Sequence, residues 1–236
     1  MLPIRDVNPT RITPWVTLLI IAAGGLVFFL LQQHDSTEEE VEFLYRRAAV
    51  SCEILSNEPL SAREINTAVC DPGSGRPVFP EKQPILAILT SMFLHGGVTH
   101  LLFNMWSLWI FGNNVEEAFG HLRFLILYLT GGVAATFTFV ALNPDSTVPL
   151  VGASGAIAAA LGAYAVLFPG HRVLTLVGWF LLPIPASLFL AIWFFAQFGL
   201  GGTGVAWEAH VGGFVFGLIV ALVLRRSLLR RVGVTV

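Results

Sequence analysis

Five polar side chains stand in stretches of this chain that are otherwise almost wholly apolar: His95, His100 and Asn104, then Ser154, then His210. A polar group within a membrane span is costly and marks a functional position by default. Serine and histidine brought together form a nucleophile and its base. The imidazole takes the hydroxyl proton as oxygen attacks a carbonyl, then returns it to the leaving amine. His100 and Asn104 are four residues apart on one helix face and can donate hydrogen bonds to the resulting oxyanion. The free amides at the start of a helix near Ser154 would add to them. Each residue alone is weak evidence, because a serine among Gly and Ala is usually a packing residue and a histidine near a helix end is often only interfacial. A third member of the set is harder to find. Glu208 lies two residues from His210, on the far side of any helix they share, and Asp145 falls in a loop before Ser154. The spacing therefore predicts a Ser154–His210 dyad, with Asp145 as the weaker candidate for an orienting carboxylate.

The elements that must position these groups follow from composition. The chain has 236 residues, of which 55% are hydrophobic and 12% charged, and its mean hydropathy is +0.75. That is more apolar surface than one soluble domain of this length buries. The low-charge stretches are Trp15 to Leu31, Pro84 to Val115, Leu122 to Leu142, Val148 to Phe168, Val173 to Trp207 and Ala209 to Leu224. A hydrocarbon core of about 30 Å needs roughly 20 apolar residues in helix, so the predicted fold is an all-α polytopic membrane protein with six transmembrane helices. Residues 1–14 form a short N-terminal segment, 15–31 the first span, 32–83 a polar loop, 84–229 the core with spans two to six, and 230–236 a tail. The first stretch is longer than a usual signal-peptide core and no small-residue cleavage site follows it.

Arg5 and Arg11 precede span 1, Arg123 lies between spans 2 and 3, Arg172 between spans 4 and 5, and Arg225, Arg226, Arg230 and Arg231 follow span 6. With six spans all of these fall on one side, so both termini are expected in the cytoplasm. The membrane is expected to be the plasma (inner) membrane. The segment from Gln32 to Gln83 carries ten acidic and five basic residues and faces the other side. It is expected to hold a short helix around Val41 to Leu55. Cys52 and Cys70 both lie in this segment, where an oxidising compartment would allow a disulfide; two separate thiols are the alternative.

Spans 2, 4 and 6 run inward from that same face, and each carries its polar residues in its first two turns, so the groups lie at similar depth. Gly152, Ala156 and Ala160, and likewise Ala209, Gly213 and Gly217, recur every fourth position. Such spacing lets helices approach closely in lipid and predicts that spans 4 and 6 pack together, with His210 turned toward Ser154. Pro183-Ile184-Pro185 interrupts the fifth stretch, so a re-entrant or irregular piece is expected before it and span 5 after it.

Gly152-Ala153-Ser154-Gly155, Ala209-His210-Val211-Gly212-Gly213 with Gly217, and His100-Leu101-Leu102-Phe103-Asn104 together resemble the rhomboid intramembrane proteases. The resemblance runs from Thr90 to Leu224 and includes Val115-Glu116-Glu117 with Gly120. It implies a six-helix core opening to water on the extracytoplasmic side. It also implies Ser154 as nucleophile, His210 as base, and His100, Asn104 and the Ser154 amide as oxyanion hole. The implied substrates are single-span transmembrane proteins, cut near their outer end. Two positions depart from the family's pattern. The tyrosine that many bacterial members carry four residues after the serine, packed on the histidine, is Ala158 here, and their Trp-Arg in the first loop is Leu86-Ala87.

The alternative reading is a catalytically inactive rhomboid-like protein that binds transmembrane helices; such proteins typically lack the serine or the histidine, and this chain keeps both. A metal-dependent protease or metal transporter is disfavoured because neither HExxH nor CxxC occurs, and a transporter with broken helices would need buried charges along its path. No cofactor or metal is expected. Membrane lipids are the implied surroundings, and a net charge of −2 argues against nucleic acid. His95 is expected to hydrogen-bond in the loop at the head of span 2. His34, His121 and His171 are expected to anchor span ends.

Overall fold

The structure, a computed structural model, describes residues 1–32, 36–231 and 233. His34, Val232 and residues 234–236 of the expected tail lie outside the described residues. The chain is mostly helical. α1 (Trp15–Leu26) continues through a π-helical turn, Val27–Leu31, and is followed after the polar loop by α6 (Val98–Phe119), α7 (His121–Leu142), α8 (Ser154–Leu167), α9 (Ala186–Gln197) and α10 (Trp207–Arg231). α7 and α10 are long and apolar enough to cross a bilayer by length and composition, whereas α1 with its π turn, α8 and α9 are shorter apolar helices.

α8 is the centre of the bundle. Every residue from Gly155 to Tyr164 is buried, as expected of a helix that is apolar on all sides. Its tightest neighbour is α10. A Cβ on Gly217 would overlap the Ala159 carbonyl, one on Gly213 the Gly155 carbonyl, and one on Gly162 the Phe214 carbonyl. The small residues thus let two backbones touch, as their spacing requires. α6 and α7 complete the core, with Phe111, Phe124, Tyr128 and Tyr164 fully enclosed.

Buried polar groups fix the helix ends. Pro14 before α1 offers no capping side chain, and the buried Glu116 carboxylate of α6 takes that role. It accepts the amides of Val16 and Thr17 at 2.9 and 2.8 Å and the Thr17 hydroxyl at 2.7 Å, satisfying donors that a helix start leaves free. Glu117 accepts the Arg11 amide at 2.9 Å, and the Arg231 guanidinium lies against Gly120. The N-terminal segment, the α6–α7 turn and the end of α10 therefore gather at one end of the bundle.

The predicted re-entrant or irregular piece is instead a β-hairpin, β2 (Arg172–Val177) and β3 (Phe180–Pro185), joined at Gly178-Trp179. β2 also pairs antiparallel with an N-terminal strand, β1 (Leu2–Asp6), giving the sheet order β1-β2-β3. An all-α chain therefore holds for the bundle but needs this sheet added. Pro183 and Pro185 sit on the outer strand, the place where a missing N–H costs no ladder bond. The Trp106 ring N–H donates to the Pro3 carbonyl at 2.7 Å, and Asn114 donates to Asp6 at 2.7 Å, so β1 lies along α6.

The polar loop is more ordered than one short helix. α2 (Thr37–Arg47) is capped by Ser36, which accepts the Glu39 amide at 3.2 Å; α3 (Ser51–Ser56) and α4 (Ala62–Thr67) follow, then α5 (Pro84–Ser91). Cys52 and Cys70 form a disulfide, so the two sulfurs and the adjacent Glu64 offer no thiolate pair to a metal. Glu53 and Lys82 form a buried ion pair; Glu53 also accepts the Leu60 amide, and Lys82 donates to the Tyr45 carbonyl. Burial pushes the Glu53 carboxyl up and the Lys82 ammonium down, and their mutual contact offsets part of both shifts. Burial alone would also raise Glu64. Its carboxylate, however, accepts the Ser61 amide and hydroxyl, each at 2.8 Å, and the Asp71 amide at 3.0 Å, and these bonds hold it below its ordinary value.

This loop is tied to the segment that leads into α8. Leu150 donates to the Ala49 carbonyl at 2.7 Å, Cys52 to the Ser146 carbonyl at 3.1 Å, and Gly152 to the Ser91 carbonyl at 3.0 Å.

Candidate active site

An open cavity of about 920 Å³ lies among α6, α8, α9 and α10 at the end of the bundle opposite Arg231. His100, Asn104, Ser154, Gln197 and His210 all line it. Ser154 is the first residue of α8, six residues later than the low-charge stretch begins, because the chain from 143 to 153 is irregular and held by the polar loop. His210 falls in the first turn of α10, on the face that carries Gly213 and Gly217 toward α8. That close contact sets the separation of the two side chains: His210 Nε2 lies 2.8 Å from Ser154 Oγ. Both residues are half-buried, enclosed by the helices yet open to the cavity.

The other ring nitrogen, Nδ1, lies 2.7 Å from Gln197 Oε1 on α9. An amide oxygen can only accept, so Nδ1 carries the proton and Nε2 presents its lone pair to the serine hydroxyl. Gln197 escapes sequence reasoning, because a single glutamine near the end of an apolar stretch matches no catalytic spacing. Asp145 is exposed in the α7–α8 connection, and Glu208 is half-buried beside the cavity.

His100 and Asn104 enter the same cavity from α6. The Gly96 amide donates to His100 Nδ1 at 3.3 Å, which leaves Nε2 as the proton-bearing nitrogen and therefore a donor. Cε1 and Nε2 of that ring lie 2.8 and 2.9 Å from where a Cβ on Gly152 would be, and Gly152 has φ +123. Space and backbone conformation both call for glycine immediately before the Ala153-Ser154 step. Asn104 is 6% exposed, and its Nδ2 has no hydrogen-bond partner among the described residues. A buried amide left unpaired is costly, and one that lines a cavity is poised to donate to a bound oxygen. His95 is fully buried and set edge-on to His100. Its main chain is hydrogen-bonded to the Gln32 side chain, while its ring nitrogens have no hydrogen-bond partner among the described residues.

The arrangement can carry out acyl transfer. It places a hydroxyl beside an imidazole nitrogen and an unpartnered amide at the same cavity, the set of groups that such chemistry needs.

The family model described as the Rhomboid domain matches residues 82–227. The chain is 33% identical over 137 residues to rhomboid protease GluP of Bacillus subtilis, a match covering 58% of this chain and 25% of that protein. It is 35% identical over 149 residues to rhomboid-like protease 5 of Toxoplasma gondii, covering 59% of this chain and 16% of that one. It is also 32% identical over 145 residues to the mitochondrial presenilin-associated rhomboid-like protein A of Danio rerio, covering 58% and 37%. The chain thus spans well under half the length of these curated relatives.

Proposed function

The chain belongs to the rhomboid family, and from that premise we propose that it is an intramembrane serine endopeptidase using Ser154 as nucleophile and His210 as base. The observation that carries the reading is the 2.8 Å contact between His210 Nε2 and Ser154 Oγ at an open cavity. In the proposed reaction Oγ attacks a peptide carbonyl of the substrate while Nε2 takes its proton. The oxyanion receives hydrogen bonds from His100 Nε2, Asn104 Nδ2 and the Ser154 amide. His210 then returns the proton to the leaving amine, and water hydrolyses the acyl-serine by the same route in reverse.

α1 with its π turn, α6, α7, α8, α9 and α10 serve as the six spans. α8, with 14 residues, is about 21 Å long, short of a hydrocarbon core of about 30 Å. Its start, with Ser154, therefore sits below the membrane surface, and the open cavity supplies water to it. The gathering of Arg11 and Arg231 at the opposite end supports a cytoplasmic location for both termini.

A transmembrane substrate must unwind before its carbonyls become available, because they are bonded within the helix. The expected substrates carry Gly, Ala, Ser or Pro near the outer boundary and a small residue before the cut. They must also enter sideways from lipid. α9 packs only lightly against α8 and α10 and is followed by the Gly-rich segment 199–204, which supports α9 as the gate.

Covalent labelling tests the nucleophile. A fluorophosphonate should modify the purified protein at Ser154, and His210→Ala should suppress it. Modification at another serine would sink the assignment.

A further inference from the structure

We propose that Gln197 is a positioning residue that holds His210 in its catalytic tautomer and orientation; the inference rests on the protease reading above. Gln197 is 4% exposed, and its side chain makes two hydrogen bonds among the described residues. Its Nε2 donates to the Trp193 carbonyl one turn back, at 2.9 Å, and its Oε1 faces His210 Nδ1 at 2.7 Å. The first bond fixes which end of the amide is oxygen, since a carbonyl can accept only from the NH₂ end. With that end fixed, Oε1 accepts the proton of Nδ1 and leaves Nε2 unprotonated beside Ser154. A side chain that could only donate at this place would select the opposite tautomer, in which Nε2 carries a proton and cannot act as base.

The same helix restrains the ring plane. The Trp193 ring is tilted 34° to the imidazole, with centroids 6.2 Å apart. Ala158, fully buried on α8, is too small to pack on the imidazole as a tyrosine would. Restraint of the base therefore comes from α9, through Gln197 and Trp193, with the nucleophile on α8 and the base on α10. An uncharged amide meets the geometric requirement of a third member without placing a carboxylate in the bundle, where its desolvation would be expensive. No sequence motif is needed to supply it, only an acceptor at the last turn of α9.

The test compares cleavage of a model transmembrane substrate by wild type, Gln197→Leu and Gln197→Glu. Leucine keeps the approximate volume and removes the acceptor; glutamate keeps an acceptor oxygen. Thermal denaturation in detergent confirms that each variant is folded. Gln197→Leu should lower kcat about 10- to 100-fold, part of what a general base contributes, with KM within about twofold of wild type. Gln197→Glu, which keeps the acceptor but loses the bond to the Trp193 carbonyl, should recover part of the lost rate. A kcat for Gln197→Leu within about twofold of wild type would overturn the proposal. So would a Gln197→Glu variant that is folded but no faster than Gln197→Leu. An inactive wild type, also unlabelled by fluorophosphonate, would instead count against the protease reading itself.

Discussion

Ser154 is the first residue of α8, and that placement gives its hydroxyl access to the cavity while leaving the helix's opening amides free beside it. The residues of the proposed site were legible in the sequence only as a set, because polar side chains in three apolar stretches were expected at one depth, whereas each alone reads as a packing or interfacial residue. Their common depth followed from topology alone. Gln197 was not legible, since its bond to His210 joins the end of one helix to the start of the next, across the Gly-rich connection, and leaves no periodic trace. Asp145, the weaker candidate for an orienting group, stays exposed in its loop. Among the proposed oxyanion donors Asn104 gives the cleanest test, because its Nδ2 has no hydrogen-bond partner among the described residues. Asn104→Ala should reduce kcat about 10²- to 10³-fold with little change in KM, measured by steady-state cleavage of a transmembrane peptide. A change confined to KM would assign it to substrate binding instead.

At the scale of elements, the α8–α10 pairing was readable from small residues four apart, and the structure meets it with direct backbone contact. Gly217→Val places side-chain atoms where the Ala159 carbonyl lies. It should destabilise the bundle by about 3 kcal/mol and separate Ser154 from His210, seen as a lower melting temperature together with lost fluorophosphonate labelling. An unchanged melting temperature would show that the two helices do not depend on this approach. The β-hairpin was not readable, because Val173 to Phe198 is apolar but for a few residues and such a run does not distinguish a strand from a helix. One of its strands, β2, is also held by pairing with β1, about 170 residues away in sequence, and no local pattern carries that. For α9, a crosslink to α6 should block cleavage of transmembrane substrates while leaving fluorophosphonate labelling of Ser154 intact. Unimpaired cleavage would exclude α9 as the gate.

For the whole molecule, the polar loop is part of the frame that presents Ser154. The sequence suggested a polar loop with one short helix. The structure shows three short helices and a disulfide before α5, with residues 49–52 bonded to residues 146–150 ahead of Ser154. Contacts between segments so distant in the chain leave no signature in either one. Closing an 18-residue separation, the disulfide contributes about 3 kcal/mol to the loop. The loop's acid sensitivity follows from Glu64. A carboxyl held below its ordinary value stabilises the fold fully above its unfolded pKa and loses that contribution as pH falls through the folded one. Hydrogen-exchange protection of residues 51–78, taken relative to the intrinsic rate at each pH, should therefore fall below about pH 4, with Glu64→Gln less protected already at neutral pH. Exchange in Glu64→Gln equal to wild type would remove this carboxylate from the account.

The most direct test of the central claim is cleavage of a transmembrane substrate carrying Gly and Ala near its outer boundary, by purified protein in detergent. Wild type, Ser154→Ala and His210→Ala are compared, each verified as folded. The account predicts cleavage by wild type near that boundary and none above background by either variant. Cleavage that survives Ser154→Ala, or a wild type inactive on several helix-destabilised substrates, would contradict it.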